Sequence, residues 1–145
     1  MKQPPDRPDP PIYQLDAQIG FILRRVSQRH LSIFSDLIAD LTPTQFAVLA
    51  KLHERGALSQ NALGRETAMD AATIKGVVDR MVKRGLLQTR RDDQDKRRMI
   101  VDLSPDGRAL YLGQEPLAAT ISQQTLAPLE VEEQQVLLQL LGRLC

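Results

Sequence analysis

Cysteine and aromatic residues are scarce in this sequence, and long apolar runs are missing from it. The single cysteine is Cys145, the last residue, which excludes a disulfide framework and a cysteine-rich metal site. Two tyrosines, three phenylalanines and no tryptophan leave aliphatic side chains to build the core, and this composition favours helices. No run approaches the roughly 18 to 20 apolar residues of a membrane span. We therefore expect a soluble, cytoplasmic protein with no membrane partner.

Signatures of catalysis are also missing. The sequence contains no glycine-rich phosphate loop, no Ser/His/Asp order with supporting context and no cluster of metal ligands. His30 and His53 are isolated and are predicted to be satisfied or surface side chains. We expect neither an enzyme nor a bound metal or cofactor.

Charge is distributed unevenly along the 145 residues, a length that suits one domain with helical extensions. Residues 1–11 contain five prolines and no apolar signal segment, so they are predicted to form a disordered arm. The net charge is only +1, yet residues 65–98 contain ten basic and six acidic residues, a local charge of +4. One basic region on an otherwise acidic chain is typical of a single face that meets a polyanion.

Apolar spacing and capping residues predict helices in the first part of the chain. A first helix is expected over about 12–29, with a second, short helical segment within 31–40. Thr42 is suited to cap the next helix, with Gln45 at the capping-box position, and Gly56 is a natural end for it.

Two further short helices and a hairpin follow. Ser59 is predicted to cap a helix to about Thr67, and Asp70 to cap a second one that ends at Gly85. Two short helices separated by about three residues, the second with a basic outer face, are typical of a helix-turn-helix. Eight of the nine residues in 90–98 are charged, and this segment lies between two short runs of β-formers, which predicts a β-hairpin with a charged tip.

The last part of the chain is predicted to be helical again. Ser104 can cap a helix that runs to about Gln124, bent or interrupted near Pro116, because an interior proline removes a backbone hydrogen bond. A final helix is expected after Pro128. Its apolar stripe is more than a chain end can bury against its own small core; the stripe consists of Leu137, Leu140, Leu141 and Leu144.

The order of these elements resembles a winged helix, and the resemblance extends to a family. The segment "DAATIKGVVDRMVKRGLLQTRRDDQDKRRMIVDLSPDG" resembles the signature of the MarR family of bacterial transcription regulators. That signature joins a V-D-R-L-like helix end, a G-L-V strand, a D-x-x-D-[RK]-R wing and a V-x-L-[TS]-x-x-G restart. The matching residues are Val78, Asp79, Arg80, Met81, Gly85, Leu86, Asp92, Asp95, Lys96, Arg97, Val101, Leu103, Ser104 and Gly107.

The resemblance also takes in "LTPTQFAVLAKL" and the terminal helices, so it runs from about residue 12 to the end. The stretches "LTPTQFAVLAKLHE" and "TAMDAATIKGVVDRM" are similar to members that control aromatic-acid breakdown, including nicotinate pathways. Gly76 departs from the pattern, since many members have a long polar or basic residue there.

The resemblance implies a mainly α fold with a small β-hairpin wing. Residues 42–104 would form the winged helix-turn-helix, with dimerisation helices in 12–41 and 105–145. It further implies a homodimeric repressor on a double-stranded, pseudo-palindromic DNA operator, because two recognition helices related by a two-fold axis enter successive major grooves.

The candidate DNA interface combines the second helix of the helix-turn-helix with the hairpin. Phosphate contacts are assigned to Lys75, Lys83, Arg84, Arg90 and Arg91, and base contacts to Ala72, Thr73 and Lys75. Arg97 at the wing tip suits the minor groove, with Asp95 to orient it. The remaining candidates are Gly76, Arg80, Lys96 and Arg98.

Several alternatives stay open at this point. Asp79 and Arg80 can form an internal ion pair or phosphate anchor instead of a direct contact, and the hairpin charges can be merely solvated. The resemblance implies that Arg97 pairs with Asp70 and so holds the wing against the helix. A winged helix that binds only protein partners is a further alternative.

The resemblance also implies a cleft for a small, often aromatic, acid between the dimerisation helices and the DNA-binding lobe. Transfer by position places Gln18, Phe21, Ile22, Arg25, Arg29, Phe34 and Phe46 there. An arginine beside apolar and aromatic residues suits a planar carboxylate. The alternative is a constitutive regulator without an effector; sensing through a thiol is disfavoured, since Cys145 alone is available.

Overall fold

The computed structural model describes residues 12–145, and the predicted arm of residues 1–11 lies outside the described residues. This part of the chain forms six α-helices and three short strands, preceded by one 3-10 turn at Leu15–Ala17. In chain order they are α1 Ile19–Leu37, α2 Pro43–Arg55, β1 Leu58–Ser59, α3 Gln60–Glu66, α4 Ala71–Lys83, β2 Leu87–Arg91, β3 Met99–Leu103, α5 Pro105–Leu126 and α6 Val131–Gly142. The predicted mainly α fold with a small wing is confirmed.

Helix α1 corrects the prediction of two separate N-terminal helices. It starts at Ile19 rather than near residue 12 and continues without a break to Leu37. The apolar positions Val26, Ile33 and Leu37 keep helical spacing across the expected boundary, and no glycine or proline interrupts them. One long helix therefore extends from the N-terminal region to the core, where Phe34 is buried.

The caps predicted from the sequence are present at the helices of the predicted winged helix-turn-helix. The Thr42 hydroxyl accepts from the Gln45 backbone N–H, and the Gln45 side chain accepts from the Thr42 backbone N–H, which completes the capping box. Ser59 caps α3 through the Ala62 N–H, and Gly56 ends α2 with a positive φ of 78°. These local contacts set where α2 and α3 begin and how the chain leaves α2.

A three-stranded antiparallel sheet, in the order β1-β3-β2, borders the helices. The predicted hairpin pairs Leu87 with Leu103 and Arg91 with Met99. Strand β1 was not predicted, because its two residues, which pair with Val101 and Ile100 of β3, are too few to show alternation. The core lies between α2, α3, α4 and this sheet; its fully buried side chains are Ile38, Val48, Leu49, Leu52, Leu63, Ile74, Val77, Val78, Met81 and Val101.

Helix α5 is continuous through Pro116, so of the bend or interruption expected there, the interruption was wrong. The proline removes the hydrogen bond that would reach the Leu112 carbonyl. The helix nevertheless runs unbroken from Pro105 to Leu126. None of the described helices combines the length and the apolar character that a membrane crossing requires.

Most of the large apolar side chains that are exposed lie near the two ends of the described chain. Of fifteen such residues with substantial exposure, eight lie between Ile12 and Leu31 and five between Val131 and Leu144. On α6 no residue is fully buried, although the helix is apolar on several faces. A helix of this kind is normally buried in a larger assembly.

Candidate nucleic-acid interface

Helix α4 has one buried face and one exposed face. Its N-terminus is capped by Asp70, whose carboxylate accepts from the Thr73 N–H at 2.7 Å. This backbone hydrogen bond holds the pKa of Asp70 below its ordinary value of 3.8. The buried residues Ile74, Val77, Val78 and Met81 anchor the helix to the core.

The turn between α3 and α4 is tight. Ala68 adopts a positive φ of 55°, which few residues other than glycine adopt. Gly64 allows α3 to lie directly beside α4, because a side chain there would stand 3.1 Å from both Ile74 Cγ2 and the Met69 carbonyl oxygen. The core face of α4 is thereby turned inward, and the residues predicted to contact DNA are left outside.

All twelve residues of the predicted DNA interface lie on α4, just after it or on the hairpin, and eleven are exposed while Gly76 is half-buried. Between α4 and the hairpin runs a groove lined by Gln60, Val78, Asp79, Val82, Lys83, Thr89 and Met99. The helix and the wing therefore flank one surface. This is the arrangement in which a helix enters a major groove while a hairpin follows the neighbouring backbone.

Acidic side chains hold the wing tip in shape. The Asp92 carboxylate accepts from the Gln94 N–H at 3.0 Å, and the Asp95 carboxylate accepts from the Arg97 N–H at 3.1 Å. Asp95 also accepts from Arg97 Nε at 3.2 Å. These bonds from Arg97, side chain first, lower the pKa of Asp95, so the carboxylate is ionised at neutral pH.

The predicted interface cations fall into two groups. Five of them have partners: Lys75 with Asp79 at 2.7 Å, Arg84 with Gln45 at 3.1 Å, Arg91 with the Lys96 carbonyl at 3.2 Å, Arg97 with Asp95, and Arg98 with Asp92 at 3.6 Å. Within residues 12–145 the side chains of Arg80, Lys83, Arg90 and Lys96 have no salt bridge or side-chain hydrogen bond. These four are the cations most readily available to an anion.

Two ion pairs considered from the sequence, one as an open alternative and one as implied by the resemblance, have other partners in the structure. Asp79 pairs with Lys75, one helical turn earlier, and not with its neighbour Arg80, which points to another side of the helix. Arg97 pairs with Asp95 and not with Asp70. The wing reaches the start of α3, where Arg97 and Arg98 border Asn61, whereas Asp70 lies beyond the end of that helix.

The junction between the wing and α5 was visible in the sequence only as a motif. The Ser104 hydroxyl donates to the Gly85 carbonyl at 2.6 Å and accepts from the Gly107 N–H at 2.9 Å. The Ser104 N–H donates to the Leu86 carbonyl at 3.1 Å, and a side chain on Gly107 would overlap that same carbonyl oxygen. This network ties both strands of the wing to α5.

The seven predicted effector residues do not line one cavity. Ile22, Arg25 and Arg29 border a groove on α1 together with Val26. Phe34 lies twelve residues beyond Ile22, about 18 Å along the helix, and is only 5% exposed.

The other three occupy separate places. Phe46 packs between Phe34 and Tyr111, with ring centroids 6.2 Å and 5.6 Å away. Gln18 donates to the Gln14 carbonyl, and Phe21 lies beneath the Arg25 guanidinium, 5.9 Å from ring centroid to Cζ. Phe34 and Phe46 are therefore packing residues that connect α1 with α2 and α5.

Arg29 contacts the end of α5. Its two terminal nitrogens donate to the Thr125 carbonyl at 2.6 Å and the Gln124 carbonyl at 2.9 Å. The adjacent His30 Nδ1 lies 2.8 Å from the Thr125 hydroxyl. A cation at the C-terminus of a helix bonds carbonyls that have no partner within the helix and opposes the negative end of its dipole. Sequence reasoning missed this contact because its partners are 95 and 96 residues apart.

Comparison with known proteins agrees with this geometry. Residues 41–99 match the model of the MarR family. The HTH-type transcriptional repressor NicR of Pseudomonas putida is 38% identical over 134 residues, which cover 91% of this chain and 85% of NicR. A probable transcriptional regulator from Pseudomonas aeruginosa has a solved structure that is 53% identical, with a TM-score of 0.88, and covers 91% of this chain and 100% of its own. The structure of BpsR from Bordetella bronchiseptica, whose DNA binding is regulated by 6-hydroxynicotinic acid, is 40% identical with a TM-score of 0.87, covering 91% and 96%.

Proposed function

Since this chain belongs to the MarR family of transcriptional regulators, we propose that it is a dimeric repressor which a small aromatic acid releases from a pseudo-palindromic DNA operator. It is a regulator and not an enzyme. The proposal places its action in the bacterial cytoplasm, where operator DNA is found.

One observation carries the DNA-binding part of the proposal: an exposed basic helix and a basic wing border the same groove. The exposed side of α4 and the wing tip include four cations without partners among residues 12–145. The paired cations remain available, because an exposed salt bridge contributes only about 0.2 to 1 kcal/mol and phosphates can replace the carboxylate. Lys75 and Asp79, for example, are 66% and 54% exposed.

Dimerisation is supported by the apolar surface at the two chain ends. Leu23, Val26, Leu137, Leu138 and Leu141 border a groove of about 370 Å³ where α1, α5 and α6 meet. Leu138 is 57% exposed in the single chain. Burying such surface against a second copy removes apolar area from water at about 25 cal/mol per Å², and a two-fold dimer would place two copies of α4 on one face of the DNA.

The dimer is tested by Leu138→Glu, with Gln135→Glu as the matched control on the same helix. Sedimentation velocity of the unmodified chain is expected to show a dimer, Leu138→Glu to shift it towards monomer, and the control to leave it unchanged. A monomeric unmodified chain, or the same dimer in both variants, would contradict the proposed interface.

The effector part is supported by the groove on α1 and by BpsR. Arg29 is bonded to two carbonyls of α5, whereas Arg25 has no salt bridge or hydrogen bond within the described residues and lies over Phe21. We assign the acid's carboxylate to Arg25 and its ring to the apolar side chains of Ile22 and Val26. The DNA binding of BpsR is regulated by 6-hydroxynicotinic acid, which makes an acid of the pyridine class the first candidate for this chain.

Selection of DNA fragments by the purified protein, with and without 6-hydroxynicotinic, nicotinic and benzoic acids, tests both parts together. We expect enrichment of a pseudo-palindrome that at least one acid abolishes. Arg25→Gln should keep operator binding but lose the response to the acid, and Arg24→Gln, a neighbouring exposed arginine outside the groove, should keep both. Operator binding that no acid changes would favour the constitutive alternative, and no enriched DNA would contradict the function itself.

A further inference from the structure

The outermost strip of α4 carries almost no side chain in its first half. At 100° per residue, the buried positions Ile74 and Met81 lie on one side of the helix, and Ala72, Gly76 and Lys83 lie opposite them. Ala72 and Gly76 are small, so the backbone of this half can come close to a groove floor. These two residues also have no polar side-chain groups that could distinguish one base pair from another.

Arg80 fills this gap. A Cβ on Gly76 would stand 3.2 Å from Arg80 Nη1, 3.7 Å from Nη2 and 3.8 Å from Cζ, so the whole guanidinium lies over the bare glycine. Helical side chains point back towards the N-terminus. The guanidinium is therefore level with position 76, about 6 Å nearer the start of the helix than its own Cα.

The donors of Arg80 are uncommitted. Within residues 12–145 no carboxylate lies within 4.0 Å of it, while the carboxylate one residue earlier, Asp79, is bonded to Lys75. The guanidinium thus presents a planar set of donors on the outer face of the recognition helix. A Cβ at residue 76 would displace it by a few tenths of an ångström.

We propose that Arg80, placed over Gly76, reads a guanine in the major groove of each operator half-site, and that Gly76 determines this specificity by leaving the space. The inference rests on the proposed DNA-binding function. Guanine presents O6 and N7 as two acceptors on one edge, and the guanidinium presents two parallel N–H donors that match them. A phosphate would accept the same charge but would confer no preference for a base.

The test is the base-preference profile of DNA selected by the unmodified chain and by Arg80→Met, with Arg108→Met on α5 as a control. Methionine keeps the aliphatic stem and removes the donors. We expect the preference for one guanine per half-site to fall about 5- to 150-fold, the range for one bidentate contact, with the other positions and the salt slope nearly unchanged. The control should keep the whole profile.

The role of Gly76 in placing the Arg80 guanidinium is tested in the same assay. Gly76→Ala moves the guanidinium by a few tenths of an ångström, and Gly76→Val excludes it from its place. We expect a graded loss of preference at the same guanine, larger for valine, with Gly113→Ala unchanged because nothing lies within 4 Å of that glycine. Thermal melting confirms that each variant is folded.

Three outcomes would overturn the inference. In the first, Arg80→Met weakens binding to all sequences equally and lowers the salt slope by about 0.9, which identifies a phosphate contact. In the second, Arg80→Met leaves the profile unchanged. In the third, the Gly76 variants keep the guanine preference. Failure of the unmodified chain to select any DNA would instead contradict the proposed function. The two failures are therefore distinguishable.

Discussion

Replacing Gly107 with alanine is expected to destabilise the junction between the wing and α5. The new Cβ would overlap the carbonyl oxygen of Leu86, and this oxygen accepts the Ser104 N–H at 3.1 Å. The overlapping atom is backbone and not the end of a flexible side chain, so relief requires the chain at Leu86 or the start of α5 to move. Both neighbours are buried, with Leu86 and Ser104 each 7% exposed.

The magnitude follows from three contributions. Forcing an extra carbon into a packed site costs about 1 to 3 kcal/mol, and weakening the hydrogen bond to Leu86 costs about 1 kcal/mol more. Alanine offsets up to about 1 kcal/mol of this loss, because it lowers the conformational entropy of the unfolded chain. A net loss of about 2 kcal/mol corresponds to a fall of about 4 to 8 °C in Tm for a chain of this size.

The assay is thermal and urea unfolding at one fixed protein concentration, since the proposed dimer would make Tm concentration-dependent. Gly113→Ala is the matched control, because it lies in the same helix and has no atom within 4 Å of a new Cβ. The control should stabilise the protein by about 0.5 to 1 kcal/mol. If Gly107→Ala is as stable as Gly113→Ala, the overlap with Leu86 does not constrain the junction and the reasoning is refuted.

Three further predictions concern charges. Arg97→Ala should weaken operator binding and lower the salt slope by about one phosphate-equivalent if the wing contact is ionic; isotherms at several salt concentrations measure this, and an unchanged slope would count against it. Asp70→Ala should lower stability at neutral pH. Because the folded pKa of Asp70 is depressed, its contribution is full above 3.8 and is lost as the pH falls through the folded pKa, so urea titrations of the two proteins should converge in acid. Arg29→Met removes both bonds to the end of α5 and should cost about 1 kcal/mol in the free energy of unfolding, whereas an unchanged urea midpoint would exclude this role.

Contacts within a few residues were the predictable part of this molecule. The capping box at Thr42 and the caps at Ser59 and Asp70 followed from residue types whose partners lie three positions away. The hairpin followed from its turn-forming residues, since Asp92 and Asp95 each bond a backbone N–H two positions further on. Their geometry depends on backbone stereochemistry, which is the same in every protein. Short-range chemistry therefore placed the recognition helix and the wing correctly.

Contacts between distant residues were not predictable in the same way. Arg29 bonds carbonyls at the far end of the chain, and Phe46 packs between Phe34 and Tyr111 from two other helices. Polarity alone does not distinguish an arginine bound to a helix end from one free to bind a carboxylate. The expected pair of Arg97 with Asp70 failed for a related reason, since it required the relative position of wing and helix, which the order of the elements leaves open.

The position of α1 suggests how the proposed acid at Arg25 would act on DNA binding. An effector changes operator affinity only by the difference between its own affinities for two conformations, and a tenfold change requires about 1.4 kcal/mol of such difference. Helix α1 carries the groove at one end and packs Phe34 against Phe46 of the DNA-binding lobe at the other. A shift of α1 is therefore transmitted to the lobe through packed rings. Thermodynamic reciprocity then requires operator DNA to lower the affinity for the acid by the same factor as the acid lowers the affinity for DNA, and titration calorimetry with and without operator measures both factors.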